Sequence, residues 1–239
     1  MNRKYEISEI AHPRYPWLHR IRAVSDVRPG VQKGDLGGFV QSEENLSQDG
    51  TCWIFDEAIV CDDSFVDQQA MVSGAAVVRG SALVSGRAMI RQNAVIDDHA
   101  IVMAGFVSES AHVAGNAAIT ASTVTGAWPH IEDHANVYGD VCGGVFVKGA
   151  AVVLPGVTID NPTQDIFVVE QDRVTVERSY QRLHGIPQRP AKNQETDKIG
   201  QRMACHCNQC QPGETDEHDG NNERPFHLLL GNDPFLHAA

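Results

Sequence analysis

The chain has 239 residues, 42% of them hydrophobic, and a formal net charge of −12, enough for one folded, elongated domain plus a tail. No apolar run approaches the roughly eighteen residues of a membrane span, and Met1-Asn2-Arg3-Lys4-Tyr5-Glu6 lacks the apolar segment of a signal peptide, so a cytoplasmic location is expected. Residues 54 to 180 carry six basic and sixteen acidic side chains, against seven and seven in residues 1 to 53 and six and eight in residues 181 to 239; such an acidic body repels phosphate and disfavours direct binding to nucleic acid, an anionic membrane or acyl-CoA.

Residues 1 to 45 read as an N-terminal cap. Leu18, Ile21, Val24 and Val27 alternate imperfectly after Pro13 and Pro16, as expected of short strands covering an open β edge. Arg14, His19, Arg20 and Arg22 form a small basic cluster, read as a solvated face. Val40 and Leu46 are six apart and can begin a repeat; the interval from Leu46 to Ile54 is eight, with the two extra residues near Asp49-Gly50. Trp53 and Phe55 flank Ile54 and point away from it if this is a strand, which suits them to seal the cap.

From Ile54 the chain becomes periodic. Ile54, Val60, Val66, Val72, Val78, Val84, Ile90, Ile96 and Val102 recur every six residues, and a small residue follows each of the first eight by four: Ala58, Ser64, Ala70, Ala76, Ala82, Ala88, Ala94 and Ala100. Six residues of α-helix advance about 600°, so the valines would spiral around a helix and never form a buried stripe. A meander of hairpins leaves too few residues per strand between Ser73-Gly74, Arg79-Gly80, Ser85-Gly86 and Asp97-Asp98. What remains is a stack of coils in which each hexad is a short strand plus a corner, with parallel strands about 4.8 Å apart and the β-branched residue on the axis. The expectation is an all-β chain with a hexapeptide-repeat β-helix over residues 46 to 160.

After Val102 the phase slips to Val107, Val113 and Ile119, again to Val124, Ile131 and Val137, and then to Val141, Val147, Val153 and Ile159. Each slip predicts a bulge or small loop at a corner, and Gly126-Ala127-Trp128-Pro129-His130 is the largest of them. Loops on a rigid scaffold are where sites concentrate. Ile166, Val168, Val174 and Val176 alternate on either side of Gln171-Asp172, giving capping strands in residues 161 to 180. Residues 181 to 239 are an irregular tail rich in Pro, Gln, Asn and charge, with His227-Leu228-Leu229-Leu230 its one apolar run.

The hexads resemble the [Leu/Ile/Val]-Gly-x4 repeat of left-handed parallel β-helix proteins. That resemblance implies the left-handed coil, a triangular prism with three hexads per turn, and side-by-side homotrimers. Gly34-Asp35-Leu36-Gly37-Gly38-Phe39-Val40, Asn45-Leu46-Ser47 and Cys52-Trp53-Ile54-Phe55-Asp56 are similar to the N-terminal segment of the YdcK-like group of bacterial and prophage-borne hexapeptide-repeat proteins. The likeness spans about residues 20 to 160. It implies a phage or prophage setting, and the group's acyltransferase label rests on the repeat and not on a catalytic motif.

Two constellations could carry chemistry. Cys205, Cys207 and Cys210, with His218 and then His227 downstream, supply soft ligands for a tetrahedral zinc ion in the tail, although C-x-C is not the usual half-site spacing. The body histidines are the second. His99 and His134 each follow an axial isoleucine by three, which places them at one corner of the hexad two coils apart, about 10 Å, too far to share a metal; His112 takes a different hexad position and His130 lies on the loop. An acyltransferase would make His130 or His134 its base, in an intersubunit groove lined by cations. The expected function is a non-enzymatic scaffold or protein-binding module with a protein partner. The alternatives are that acyltransferase and an inhibitor whose regularly spaced carboxylates imitate nucleic acid.

Overall fold

The hexads close into coils of eighteen residues, so that strands three hexads apart lie side by side in parallel: Ile59 pairs with Val77 and Val77 with Val95 on one side, Trp53 with Met71 and Met71 with Met89 on another. This is a computed structural model in which residues 3–171 and 173–177 are described, and among them the architecture is a parallel β-helix of seven turns. Most repeat strands are only two residues long. The aliphatic side chain of each hexad turns inward and stacks on its counterparts in the coils before and after.

Three interior columns result, one per face. The first face carries Val40, Val60, Val78, Ile96, Val113, Val137 and Val153. The second carries Leu46, Val66, Val84, Val102, Ile119, Val141 and Ile159. The third carries Ile54, Val72, Ile90, Val107, Ile131, Val147 and Val169. All but the half-buried Ile159 are buried. Removing one such side chain from water contributes about 1.5–3 kcal/mol. The small residues sit where the sequence suggests, against the corner: Ala58 through Ala100 are buried, and the Ser64 hydroxyl lies 2.6 Å from the Cys61 carbonyl and 3.1 Å from that of Val78.

The corners follow their own rule. Asp62 and Asp98 take left-handed backbone conformations (φ 55° and 56°), and each carboxylate accepts a hydrogen bond from the backbone N–H of the glycine one coil on, Gly80 at 3.1 Å and Gly115 at 3.0 Å. Asp56 does the same for Gly74 and Asp133 for Gly149. At the corner of Asp62, Gly80, Asp98 and Gly115 acid and glycine thus alternate, because Asp tolerates positive φ while supplying an acceptor, and the stacking there leaves Gly80 no room for a side chain: a Cβ on it would lie 2.8 Å from the Asp98 carbonyl oxygen. Replacing Asp98 by Val should cost about 1–2 kcal/mol from the left-handed strain alone, while Asp98→Asn should be nearly neutral. Urea unfolding midpoints of the two variants would test this.

The irregular coils explain the phase slips. Leu83–Ile90 and Ile101–Val107 run through their corner unbroken and join the second and third faces into one sheet. Between Ala118–Thr120 and His130–Ile131 the chain makes its longest excursion, residues 121 to 129. Val124, expected in phase on the axis, belongs to that excursion and is 75% exposed; the chain turns back there with Ser122 and Ala127 bonded across the turn, so no interior position exists for it.

At the N-terminal end β1 (Tyr5–Ala11), β2 (His19–Ala23) and β3 (Leu36–Val40) form an antiparallel ribbon, and β3 then pairs in parallel with Ile59–Val60 as the first strand of the helix. The Tyr5 hydroxyl donates to the Leu46 carbonyl at 2.7 Å, and Trp53 is buried. Arg20, from the basic cluster, is held by structure: its guanidinium lies 4.4 Å from the Phe39 ring centroid and donates to the Gly37 and Asp56 carbonyls, with Glu57 as ion-pair partner. At the far end Ile166–Glu170 runs parallel to Val145–Lys148 and completes the seventh coil. The strand Arg173–Glu177 then returns antiparallel to it, after Gln171 at φ 54°. The residues expected as caps therefore divide between the last turn of the helix and the strand that covers its edge.

Candidate interaction face

Residues immediately before each interior position alternate away from the axis, so every face carries a column of side chains one per coil; in the first coil Phe39 and Trp53 are buried, and the columns reach the surface from the second coil on. On the first face that column is mostly aliphatic: Phe39, Ile59, Val77 and Val95, then His112, Asn136 and Val152. On the third face it reads Trp53, Met71, Met89, Phe106, His130, Phe146 and Val168. From Phe106 onward this column is a stack of rings. Phe106 and His130 stand 4.7 Å apart at 27°, and His130 and Phe146 stand 4.3 Å apart at 5°. Because parallel pairing sets successive coils about 4.8 Å apart, in-register rings fall naturally into stacking contact.

Trp128, brought in by the excursion, lies tilted 6.1 Å from Phe106, and the Arg91 guanidinium sits 5.3 Å from the same ring. Below the stack an open recess of about 260 Å³ is lined by Glu132, Phe146, Lys148, Ile166 and Val168. Lys148 is its one cationic lining residue, and its amine is 3.8 Å from Glu170. The rings remain half-buried, not fully exposed.

His130 is thus on a strand, not on the loop. The expected loop position fails because the excursion ends at Pro129, whose carbonyl accepts the Phe106 N–H, and pairing resumes with His130. Burial between two phenyl rings pushes its imidazole below the ordinary histidine value of 6.5, with Glu132 pulling weakly the other way. As pH falls below 6.5 the unfolded chain takes up this proton before the folded one does, so folding stability falls with it and levels off once the folded imidazole is also charged. His130→Phe should remove that part of the pH dependence, a difference readable from thermal midpoints of both proteins between pH 7.5 and about 5.

The other histidines are dispersed. His99 occupies the corner between the first and second faces, after Val95–Ile96, whereas His134 lies between the third and first, after His130–Ile131. They are on different corners in successive coils; the shared corner expected two coils apart fails because strands six residues apart belong to different faces. His134 follows Asp133, whose carboxylate accepts the Gly149 N–H at 2.7 Å, and Glu109 stacks on Asp133 from the coil before. That N–H holds the Asp133 carboxyl low, and the hydrogen bond to Asp133 pushes the Glu109 carboxyl up. His112 meets Tyr138 edge-on at 6.1 Å, and its Nε2 is buried without a partner.

No group of three or more His, Cys, Asp or Glu able to hold a metal occurs among the described residues. Cys205, Cys207, Cys210 and His218, expected as zinc ligands, lie outside them, as does His227. No helix among the described residues is long and apolar enough to cross a membrane. The ring stack does not follow from the eighteen-residue repeat, because its members are separated by 24 and 16 residues. No family model matches the chain, and neither does any curated protein.

Proposed function

We propose that the protein is a non-enzymatic β-helical scaffold that binds a protein partner through its third face. The observation that carries this reading is the outward stack of Phe106, His130 and Phe146, with Trp128 and Arg91 against it. Aromatic residues and arginine on a rigid, preorganised surface are the side chains that dominate protein interfaces. The stacked rings spend their faces on one another and present edges outward, which suits them to close packing against apolar side chains more than to platform binding of a planar or sugar ring.

The same geometry counts against acyl transfer. A catalytic base needs a carboxylate aligned on its imidazole and a cleft for the acyl donor. His130 instead meets rings on both faces, and the carboxylate next to His134 is bonded to a backbone N–H.

The test uses immobilised wild-type protein, a Phe106→Ser/Phe146→Ser variant, and Ile101→Ser as a control on the second face, where Ile101 is 38% exposed. A partner held at defined stoichiometry by the wild type and the control, and bound at least 30-fold more weakly by the double variant, is expected, since loss of a central aromatic anchor typically costs about 2 kcal/mol or more. Turnover of an acyl-CoA that disappears in His130→Ala would instead return the enzymatic reading.

A further inference from the structure

The first coil contains a buried pair that the binding reading does not use. Lys4 precedes β1 and is only 5% exposed, and Cys52 precedes Trp53 on the third face and is fully buried. The Lys4 side-chain nitrogen lies 3.0 Å from Cys52 Sγ, 3.1 Å from the Cys52 carbonyl and 3.2 Å from that of Asp49. These three acceptors use all three donors an ammonium has. No carboxylate among the described residues lies within ion-pair distance of it. The sulfur is further enclosed by the carbonyls of Ser47, Asp49 and Val66, between 3.6 and 3.8 Å away.

Such an arrangement is costly for so long and flexible a side chain. It places an amine nitrogen and a thiol sulfur, 48 residues apart in sequence, in direct contact within a site that holds both still. Burial pushes the Cys52 thiol up, and the hydrogen bond to Lys4 is the strongest influence pulling it back. Cys61 and Cys142, the other described thiols, have no lysine among their hydrogen-bond or ion-pair partners.

We propose that Lys4 and Cys52 form a covalent modification site, in which an oxidant of the peroxide class installs a single oxygen atom between Nζ and Sγ and fastens the start of β1 to the first coil. One hydrogen peroxide converts the thiol to a sulfenic acid, releasing one water. The ammonium gives up its proton to water. A second peroxide then oxidises the pair as the amine nitrogen bonds to the sulfenic oxygen, releasing two waters. Overall the amine and the thiol each lose one hydrogen, nitrogen and sulfur each give up two electrons, two peroxides take up those four electrons, and one oxygen stays in the bridge. The observed contact favours this product over a direct sulfur–nitrogen bond, which demands a much larger approach of the two atoms. Lys4, just before β1 and against the first coil, keeps a small exposure, through which a small oxidant reaches the pair.

The full-length protein treated with hydrogen peroxide, digested without reductant and mapped by mass spectrometry tests this. The expected species joins the peptides of Lys4 and Cys52, with one oxygen gained and two hydrogens lost. Dithiothreitol should release it. It should be absent from Lys4→Arg, which keeps donors near the sulfur, and from Cys52→Ser; the joined protein should also unfold at a higher temperature than the reduced one, because a 48-residue separation is closed in the unfolded chain. Two results overturn the proposal: Cys52 recovered as free thiol or as its own oxygen acids with Lys4 unmodified, or a junction that has lost two hydrogens and gained no oxygen. The wild-type map decides even if a variant fails to fold.

Discussion

Ile96→Asp should abolish the folded state of the central coils, while Val153→Asp should loosen only the last turn. Ile96 is fully buried in the first-face column, paired with Val78 on one side and Val113 on the other. A carboxylate there has neither water nor a donor aimed at it. Even protonated it leaves an unsatisfied polar group worth about 2–7 kcal/mol in an apolar setting, in addition to the lost packing of the isoleucine. Whole domains are stable by about 5–15 kcal/mol, so the substitution consumes most of that margin. Position matters because a solenoid is held by contacts between neighbouring coils. Ile96 belongs to the fourth coil and interrupts both halves, whereas Val153, in the seventh, has a neighbour on one side. Ile96→Val, which keeps shape and branching, should cost only about 0.5–1.5 kcal/mol. Far-UV circular dichroism and urea titration of the three variants would read these differences, and equal loss from Ile96→Asp and Val153→Asp would contradict a stack of semi-independent coils.

Gly86→Ala should destabilise the chain by at least about 3 kcal/mol, and Gly156→Ala by about 1–2 kcal/mol, though both glycines are left-handed. Their φ angles are 60° and 77°. At Gly86 a Cβ would lie 2.1 Å from the carbonyl oxygen of Met103 in the next coil, and backbone cannot yield without breaking the strand that passes through this corner. At Gly156 nothing lies within 4 Å, so only the conformational cost remains. The comparison separates strain from collision at two corners of one helix. Similar losses at both positions would mean that the coils are less closely stacked than the contact at Met103 requires.

What could be read in the chain is what repeats. An aliphatic residue every six positions, with a small residue four later, is a packing rule applied coil after coil, and Ile54 through Val102 obey it because those coils contain no insertion. The alternation of Asp62, Gly80, Asp98 and Gly115 at one corner is also written plainly, although its meaning as carboxylate-to-backbone bonding needs the coils in register. Beyond Val102 the pattern is equally hydrophobic but no longer counts itself. Val124 looks like an axial residue and is exposed, since hydrophobicity alone does not say whether a residue lies on the coil or on a loop leaving it.

The candidate face was hidden for the same reason. Phe106, His130 and Phe146 become neighbours only after residues 121 to 129 are set aside as an excursion and the corner at Gly139 is recognised as short. A Cβ on Gly139 would meet the Val157 carbonyl oxygen at 2.3 Å, so that compressed corner demands glycine. One signal was available in advance. Trp53, Met71 and Met89 already stand eighteen apart immediately before axial residues, and carrying that column through the slips leads to the rings.

The most direct measurement of the proposed binding face is hydroxyl-radical footprinting of the protein alone and in complex with the captured partner, because thioether and aromatic side chains are the groups this chemistry reports. Phe106, Trp128, His130 and Phe146 should lose reactivity in the complex, and Met103, 45% exposed at the corner between the second and third faces, should keep it. Protection of Met103 with the ring stack unchanged would place the partner away from the stacked rings and contradict the account.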